Sequence, residues 1–233
     1  MASDRKPRTD SPEEIAQNRK PRTDSLAKKP ESMNNSKRTP WSHVGDQLRK
    51  QSSAAEVVAD GVQLREIDTG ILTLRASTDA PVLSKALDKT LGLKLPERLA
   101  MTASKGHTIY WMSPDEWLLT CPYKVVDELL AYLRSATANH HVAIVNVSSA
   151  YCQLNLSGDH AIDVLKKSTT YDVHERNFPK GKVVNTTFSK AQATLAAIDQ
   201  DNYQLFVRRS FADYIWLWLQ RSAREFGLDV KIA

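Results

Sequence analysis

Two cysteines, Cys121 and Cys152, are all that this 233-residue chain carries. They form no Cys-x-x-Cys pair and sit in apolar, strand-like stretches. They therefore read as small buried hydrophobes of a reducing compartment, and they exclude a disulfide framework or a cysteine-based metal knuckle. No apolar run approaches the roughly 18 residues that a membrane helix needs. The N-terminus lacks an apolar signal core, and its prolines and acidic residues argue against a transit peptide. The expected location is the cytoplasm, with no membrane partner. Neither G-x-G-x-x-G nor G-x-x-x-x-G-K-[ST] occurs, so no phosphate cradle is visible.

A surplus of one charge is also missing from most of the chain. The formal net charge is +5, yet residues 1–40 hold ten Lys or Arg against six Asp or Glu. The remainder is close to neutral, which speaks against a nucleic-acid-binding module; such a module would have to work through the tail alone. Within that tail RKPRTDS occurs twice, at 5–11 and 19–25. Neither copy carries an apolar side chain able to anchor a core, so residues 1–40 are expected to be a disordered basic tail.

What is present from residue 41 onward, with 41% hydrophobic and 25% charged residues overall, is an ordinary globular pattern. A short amphipathic helix is expected around Ala54–Ala59. VQLREI (62–67) and ILTLRAS (71–77), joined by Asp68-Thr69-Gly70, read as a hairpin. Pro81 and Gly92 bracket a helix with Val82, Leu83, Ala86, Leu87 and Leu91 on one side. Residues 96–106 read as a loop. Strands at 107–112 and 116–121 flank Ser113-Pro114-Asp115, and a helix follows over 125–138. Strands at 142–149 and 151–158, then three near 183–189, 193–199 and 203–209, precede a last helix. That helix is expected to begin at Ser210, with Asp213 completing a capping box. Its apolar face is read as Phe211, Tyr214, Ile215, Trp218, Leu219 and Phe226, with Gly227 as the stop. The expected class is α+β, one unit over 41–233 made of two related halves, about 56–139 and 140–233.

Five groups of residues invite chemistry. Ser157, Asp159 and His160 lie within four positions, but side chains at a strand-to-helix junction diverge. A single glycine follows the serine, so there is no nucleophile elbow. The stretch reads as a cap, with Gly158 in a tight turn and Ser157 or Asp159 at the N-cap. His140-His141 lacks a third ligand at metal spacing and reads as a pair serving the preceding helix C-terminus. Trp111, Trp117, Trp216 and Trp218 read as core or subunit interface. The most unusual polar segment is TTYDVHERNFPKGK (169–182), where Asp172, His174 and Arg176 surround Phe178 outside any period. Arg208 and Arg209, just before a helix start, could clamp a carboxylate or phosphate.

VNVSSAYCQLNLSGDHAIDVLKK, YDVHERNFPKGKVVNTTFSKAQATL, YQLFVRRSFADYIWLWLQRSAREFG and, upstream, MSPDEWLLT together resemble the gamma-subunit family of heterotetrameric sarcosine oxidases, over about residues 56–228. The resemblance implies a folate-binding, aminomethyltransferase-like fold working inside a four-subunit complex. In that complex the alpha subunit binds NAD and tetrahydrofolate, the beta subunit FAD and FMN, and the delta subunit zinc. Sarcosine is oxidised to glycine, its methyl group leaving as formaldehyde or as methylene-tetrahydrofolate, and oxygen becomes hydrogen peroxide. The implied role of this chain is non-catalytic, with no cofactor or metal of its own. Asp172, His174, Arg176, Arg208 and Arg209 match the family pattern. With Phe178, Tyr214 and Trp218 they are the expected partner or ligand contacts. Glu175 stands where relatives commonly have proline, and Val184-Asn185-Thr186 replaces a common A-Q-T, so a ligand role is not carried to that position. Two further readings stay open: the equivalent subunit of an N-methylglutamate-type dehydrogenase, and a free-standing folate-dependent aminomethyltransferase-like protein.

Overall fold

The computed structural model describes Trp41 and residues 61–231. The expected tail and the expected helix at Ala54–Ala59 lie outside the described residues. Strands β1 (Val62–Glu66) and β2 (Thr69–Ala76) lead to helix α1 (Ala80–Leu91). Strands β3 (Met101–Ser104), β4 (His107–Ser113) and β5 (Glu116–Pro122) lead to α2 (Val126–Ala136). The same order then recurs: β6 (Val142–Asn146), β7 (Tyr151–Ser157), α3 (Ala161–Ser168), β8 (Val183–Phe188), β9 (Ala191–Asp199), β10 (Asn202–Arg208) and α4 (Ala212–Ser222), followed by a last strand, β11 (Leu228–Lys231). The class is α+β, as the periodicities require. No described helix is long and apolar enough to cross a membrane.

The strands form two sheets, one of six in the order β11-β1-β7-β10-β9-β8 and one of five in the order β3-β4-β5-β2-β6. All neighbours run antiparallel except β1 and β11. Each sheet buries one face under its own helices. Leu64, Leu154 and Leu156 meet Val164, Leu165, Ile215 and Leu219, while Leu72, Leu74 and Leu119 meet Leu83, Leu87, Leu129 and Leu133. The opposite faces meet each other through Ile71, Tyr110, Leu118, Val183, Ala196 and Phe206. A helix–sheet–sheet–helix sandwich follows, because every strand here carries apolar residues on at least one face that need covering.

The expected hairpin at 62–77 does not form. β1 pairs with β7, Leu64 opposite Leu156, whereas β2 pairs with β5 and β6, Leu74 opposite Trp117 and Ile144. The link between them carries the chain from one sheet into the other. Ile67 N–H stays on β7, donating to Gln153 O at 2.9 Å. Gly70 then passes so close to α2 that a Cβ there would lie 2.6 Å from Cβ of Val126. Periodicity locates strands but is silent on partners, which is why a hairpin looked equally good.

Other boundaries shift for local reasons. The expected loop at 96–106 contains β3, joined to β4 by Lys105 (φ 47°) and Gly106 (φ 81°), the two positive φ values of a type I′ turn. Neither Ser157 nor Asp159 caps α3. His160 holds that position without a side-chain bond, and the turn before it already occupies the orphan donor of Ala161, which bonds Gly158 O at 2.8 Å. The capping box at Ser210 is likewise absent. A 3-10 turn over Arg209–Phe211 precedes α4 and supplies Arg209 O to the Ala212 N–H. Phe211 is consequently exposed, and Trp216 takes its place in the core. Beneath Trp216 lies Trp41, fully buried, edge-on at 5.4 Å and donating from Nε1 to Ala212 O at 3.0 Å. α4 ends at Ser222, ahead of the expected stop at Gly227 (φ 77°), and β11 follows that glycine. His140 sets its Nδ1 3.7 Å from Asp79 Oδ1 rather than serving the helix carbonyls.

Two predictions follow from these constraints. Gly158 has φ +106°, and a Cβ built there falls 2.4 Å from Gly61 O. Gly158→Ala should cost at least about 2 kcal/mol through left-handed strain and overlap. Denaturant unfolding checks this: the midpoint drops with the slope unchanged, and an unshifted midpoint refutes it. Cys121 and Cys152 are buried. Burial pushes the Cys121 thiol up to about 11 and raises that of Cys152 further. Unfolded thiols ionise near about 8.5, so above that pH the folded state holds more protons than the unfolded one. Stability must then fall as pH rises, by up to about 1.4 kcal/mol per pH unit for each thiol. Unfolding midpoints compared near neutrality and near about pH 10 test the sign, which a Cys121→Ala, Cys152→Ala double variant should flatten.

Candidate functional site

Six-stranded register dictates what the inner face of that sheet displays. Side chains of one row are Val183, Ala196 and Gln204, paired across β8, β9 and β10. The five-stranded sheet covers this row, with Tyr110 edge-on to Phe206 at 4.9 Å and its hydroxyl donating to Gln204 Oε1. The next row runs Asn185, Thr194, Phe206, and a third holds Thr187 opposite Gln192, with Arg208 opposite Tyr151. These rows extend past the covering sheet. They open into a cavity of about 560 Å³, with Met112 of β4 forming its wall.

The floor is internally bonded. Asn185 Nδ2 donates to Met112 O at 2.5 Å, and Thr194 Oγ1 donates to Asn185 Oδ1 at 2.6 Å. Thr194 lies 3.7 Å from Met112 Sδ. These bonds tie β4 of one sheet to β8 and β9 of the other at the point where the sheets part. Farther out, Arg208 places its guanidinium carbon 4.5 Å from the centroid of the Tyr151 ring, a cation–π geometry. Burial raises the Tyr151 hydroxyl above its ordinary range; Arg208 opposes that shift and Glu116 adds to it. Of the described side chains lining the cavity, only Arg208 carries a formal charge.

The sequence-derived site residues fall in three places. Asp172 Oδ1 accepts the His174 backbone N–H at 3.0 Å, and Asn177 donates to its other oxygen. Those two donors, first the backbone and then the amide, hold the Asp172 carboxyl below its usual range. His174 Nδ1 in turn accepts the Arg176 N–H at 3.2 Å. Asp172 and His174 thus shape a turn that aims Phe178 inward, where it is buried between Tyr171 and Tyr203, at 5.8 and 6.0 Å. Tyr203 is the second residue of β10 and Arg208 the last, so five residues, about 17 Å of strand, separate this loop from Arg208. Tyr214 and Trp218 bond to Ser189 Oγ at 2.5 Å and Ser168 Oγ at 2.9 Å, fastening α4 to the end of α3 and the β8–β9 turn. Arg209 gives its backbone N–H to Ala150 O at 2.9 Å, so that backbone group does not join Arg208 in facing an anion.

Arg208 alone among those residues lines the cavity. Tyr151, Asn185, Gln192, Thr194 and Met112 were not singled out from the sequence. A signal existed in β8, where Asn185 and Thr187 follow Val183 at every second position. An inner face that turns polar midway along a strand marks where its cover ends. The Ser157, Asp159, His160 stretch gathers no nucleophile. His160 instead faces Asp163 at 3.2 Å and stacks on Phe226 at 4.4 Å.

Comparison with known proteins adds a second line. A model described as the sarcosine oxidase, gamma subunit family matches residues 75–225. The gamma subunit of sarcosine oxidase from Corynebacterium sp. (strain P-1) is 28% identical over 199 residues, spanning 83% of this chain and 93% of that one. Among solved structures, a chain of heterotetrameric sarcosine oxidase from Corynebacterium sp. U-96, in complex with pyrrole 2-carboxylate, superposes with a TM-score of 0.71 and 28% identity over 81% of this chain and 95% of that chain. Aminomethyltransferase T of the glycine cleavage system from Bartonella henselae gives a TM-score of 0.54 at 12% identity, over 73% of this chain and 48% of that chain. At that identity the likeness is one of fold alone.

The bonded floor yields its own test. Asn185→Ala strands Thr194 Oγ1 and Met112 O and should destabilise the chain by about 1–2 kcal/mol. Thermal unfolding of Asn185→Ala, Thr194→Ala and the double variant measures this; purely additive losses would mean that the two side chains do not act as one network.

Proposed function

The chain belongs to the sarcosine oxidase gamma subunit family, and from that membership we propose that it serves as the small, non-catalytic subunit of a cytoplasmic complex that oxidatively demethylates sarcosine. In this reading the alpha, beta and delta subunits hold NAD, tetrahydrofolate, FAD, FMN and zinc. Glycine, formaldehyde or methylene-tetrahydrofolate, and hydrogen peroxide form on those subunits. The observation that carries the reading is the superposition on a chain of a heterotetrameric enzyme across 95% of that chain's length.

The site's chemistry supports the division of labour. Asn185, Thr194 and Met112 spend their polar groups on one another, so the floor of the cavity holds shape instead of presenting a poised acid or base. Both thiols are raised by burial, which removes the thiolate that nucleophilic chemistry would require. Exposed Tyr123, Tyr132, Phe211 and Leu217 are residues that a neighbouring chain would cover at low cost.

Affinity purification of the tagged chain from its native host provides the test. Three further subunits should copurify, and the assembly should consume oxygen when given sarcosine. Deletion of this chain should lower that rate or prevent assembly. An assembly working at full rate without it, or demethylation of sarcosine by the lone chain, would overturn the proposal.

A further inference from the structure

Resting on the reading that this chain works inside a larger assembly, we infer that the cavity and the adjoining Arg208–Phe211 corner form a docking site for a neighbouring subunit, anchored by a carboxylate side chain of that subunit on Arg208. The inference starts from charge. Among the described residues lining the cavity, Arg208 brings the single formal charge and the others are neutral, with Met112, Tyr151, Ala193 and Phe206 supplying apolar surface. Among the described residues no carboxylate forms an ion pair with Arg208, although Glu116 is close enough to act on the Tyr151 ring.

Geometry makes that cation ready for a partner. The guanidinium carbon lies 4.5 Å from the Tyr151 ring centroid, and a cation held over a ring keeps N–H groups for the two parallel bonds a carboxylate accepts. The strand end is fixed as well, because the next residue's N–H is bonded to Ala150 O, adjacent to Tyr151. An anchor positioned before binding loses little freedom on binding.

A second, apolar element sits beside the first. Phe211, three residues beyond Arg208, is 42% exposed. It is held out by the 3-10 turn that displaces it from the helix stripe. An exposed phenylalanine, a stacked arginine and a tyrosine within one corner have the composition of an interface anchor. One cation flanked by apolar rings suits an acidic segment of a folded partner. A polyanion would call for several phosphate-binding cations in a row.

The test uses the assembled complex. A benzophenone amino acid replaces Gln192, whose exposed side chain lines the cavity, and the complex is irradiated and its crosslinks mapped. Arg208→Lys and Arg208→Glu chains are titrated in parallel against the other subunits, with circular dichroism confirming that each variant is folded. A crosslink into one neighbouring subunit, next to an Asp or Glu, supports the site. So does an affinity loss of at least about tenfold for Arg208→Glu with an intermediate loss for Arg208→Lys. An assembled complex with no such crosslink and unchanged affinities overturns the docking site while leaving the parent reading intact. Acetate binding at Arg208 in the assembled complex also overturns it, assigning the cavity to a small acid. A wild-type chain that joins no complex overturns both.

Discussion

Reciprocal strand exchange is the constraint on which the rest of this structure depends. The first strand of each half lies in the other half's sheet: β1 beside β7, and β6 beside β2. Neither sheet is complete without a strand from the other half, and the two links that carry these strands across also bring the inner sheet faces together. The interface between the sheets is therefore built from six well-buried side chains, Ile71, Tyr110, Leu118, Val183, Ala196 and Phe206. Separating the halves would expose that cluster and break two ladders at once, which favours a single cooperative unit over two loosely joined ones.

The same exchange decides where the sheets fail to overlap. A six-stranded and a five-stranded sheet packed face to face leave part of the larger one uncovered. At that margin lie Asn185, Thr187, Gln192, Thr194 and Arg208. Polar side chains are tolerated there because the cover has ended. They in turn seal the margin of the dry interface through the Asn185–Met112 and Thr194–Asn185 bonds. At the β6 edge a different device operates: Arg134 donates from Nε and Nη2 to Ile144 O at 3.0 and 2.7 Å. That occupies an outward carbonyl that another strand would otherwise recruit.

For the functional reading, this arrangement separates shape from chemistry. Residues that drew notice for their chemical types, such as Asp172 and His174, make local bonds that shape a turn. Phe178 is spent on packing against Tyr171 and Tyr203, and Tyr214 and Trp218 on fastening α4. Arg208 is different because the strand register delivers it to a place where the sheet is bare. A family member serving as an assembly subunit needs a rigid frame and a few surplus groups at its surface, and this fold supplies both.

By itself the sequence determined the α+β class, most strands and helices, and much of the core. Alternation at two and recurrence at three to four residues are local properties of the chain, and Leu83, Leu129, Leu154 and Leu165 obey them. Its blocks also carried the family resemblance. Only the tertiary structure decided that β1 and β2 part company, that Phe211 faces outward, that Trp41 lies beneath Trp216, and that Tyr151, Asn185, Thr194 and Arg208 share one cavity. Those outcomes hinge on which strands pair across a hundred residues and where one sheet stops covering another. Such long-range choices leave no periodic trace, because a half-buried strand has the same alternation whichever neighbour it finds.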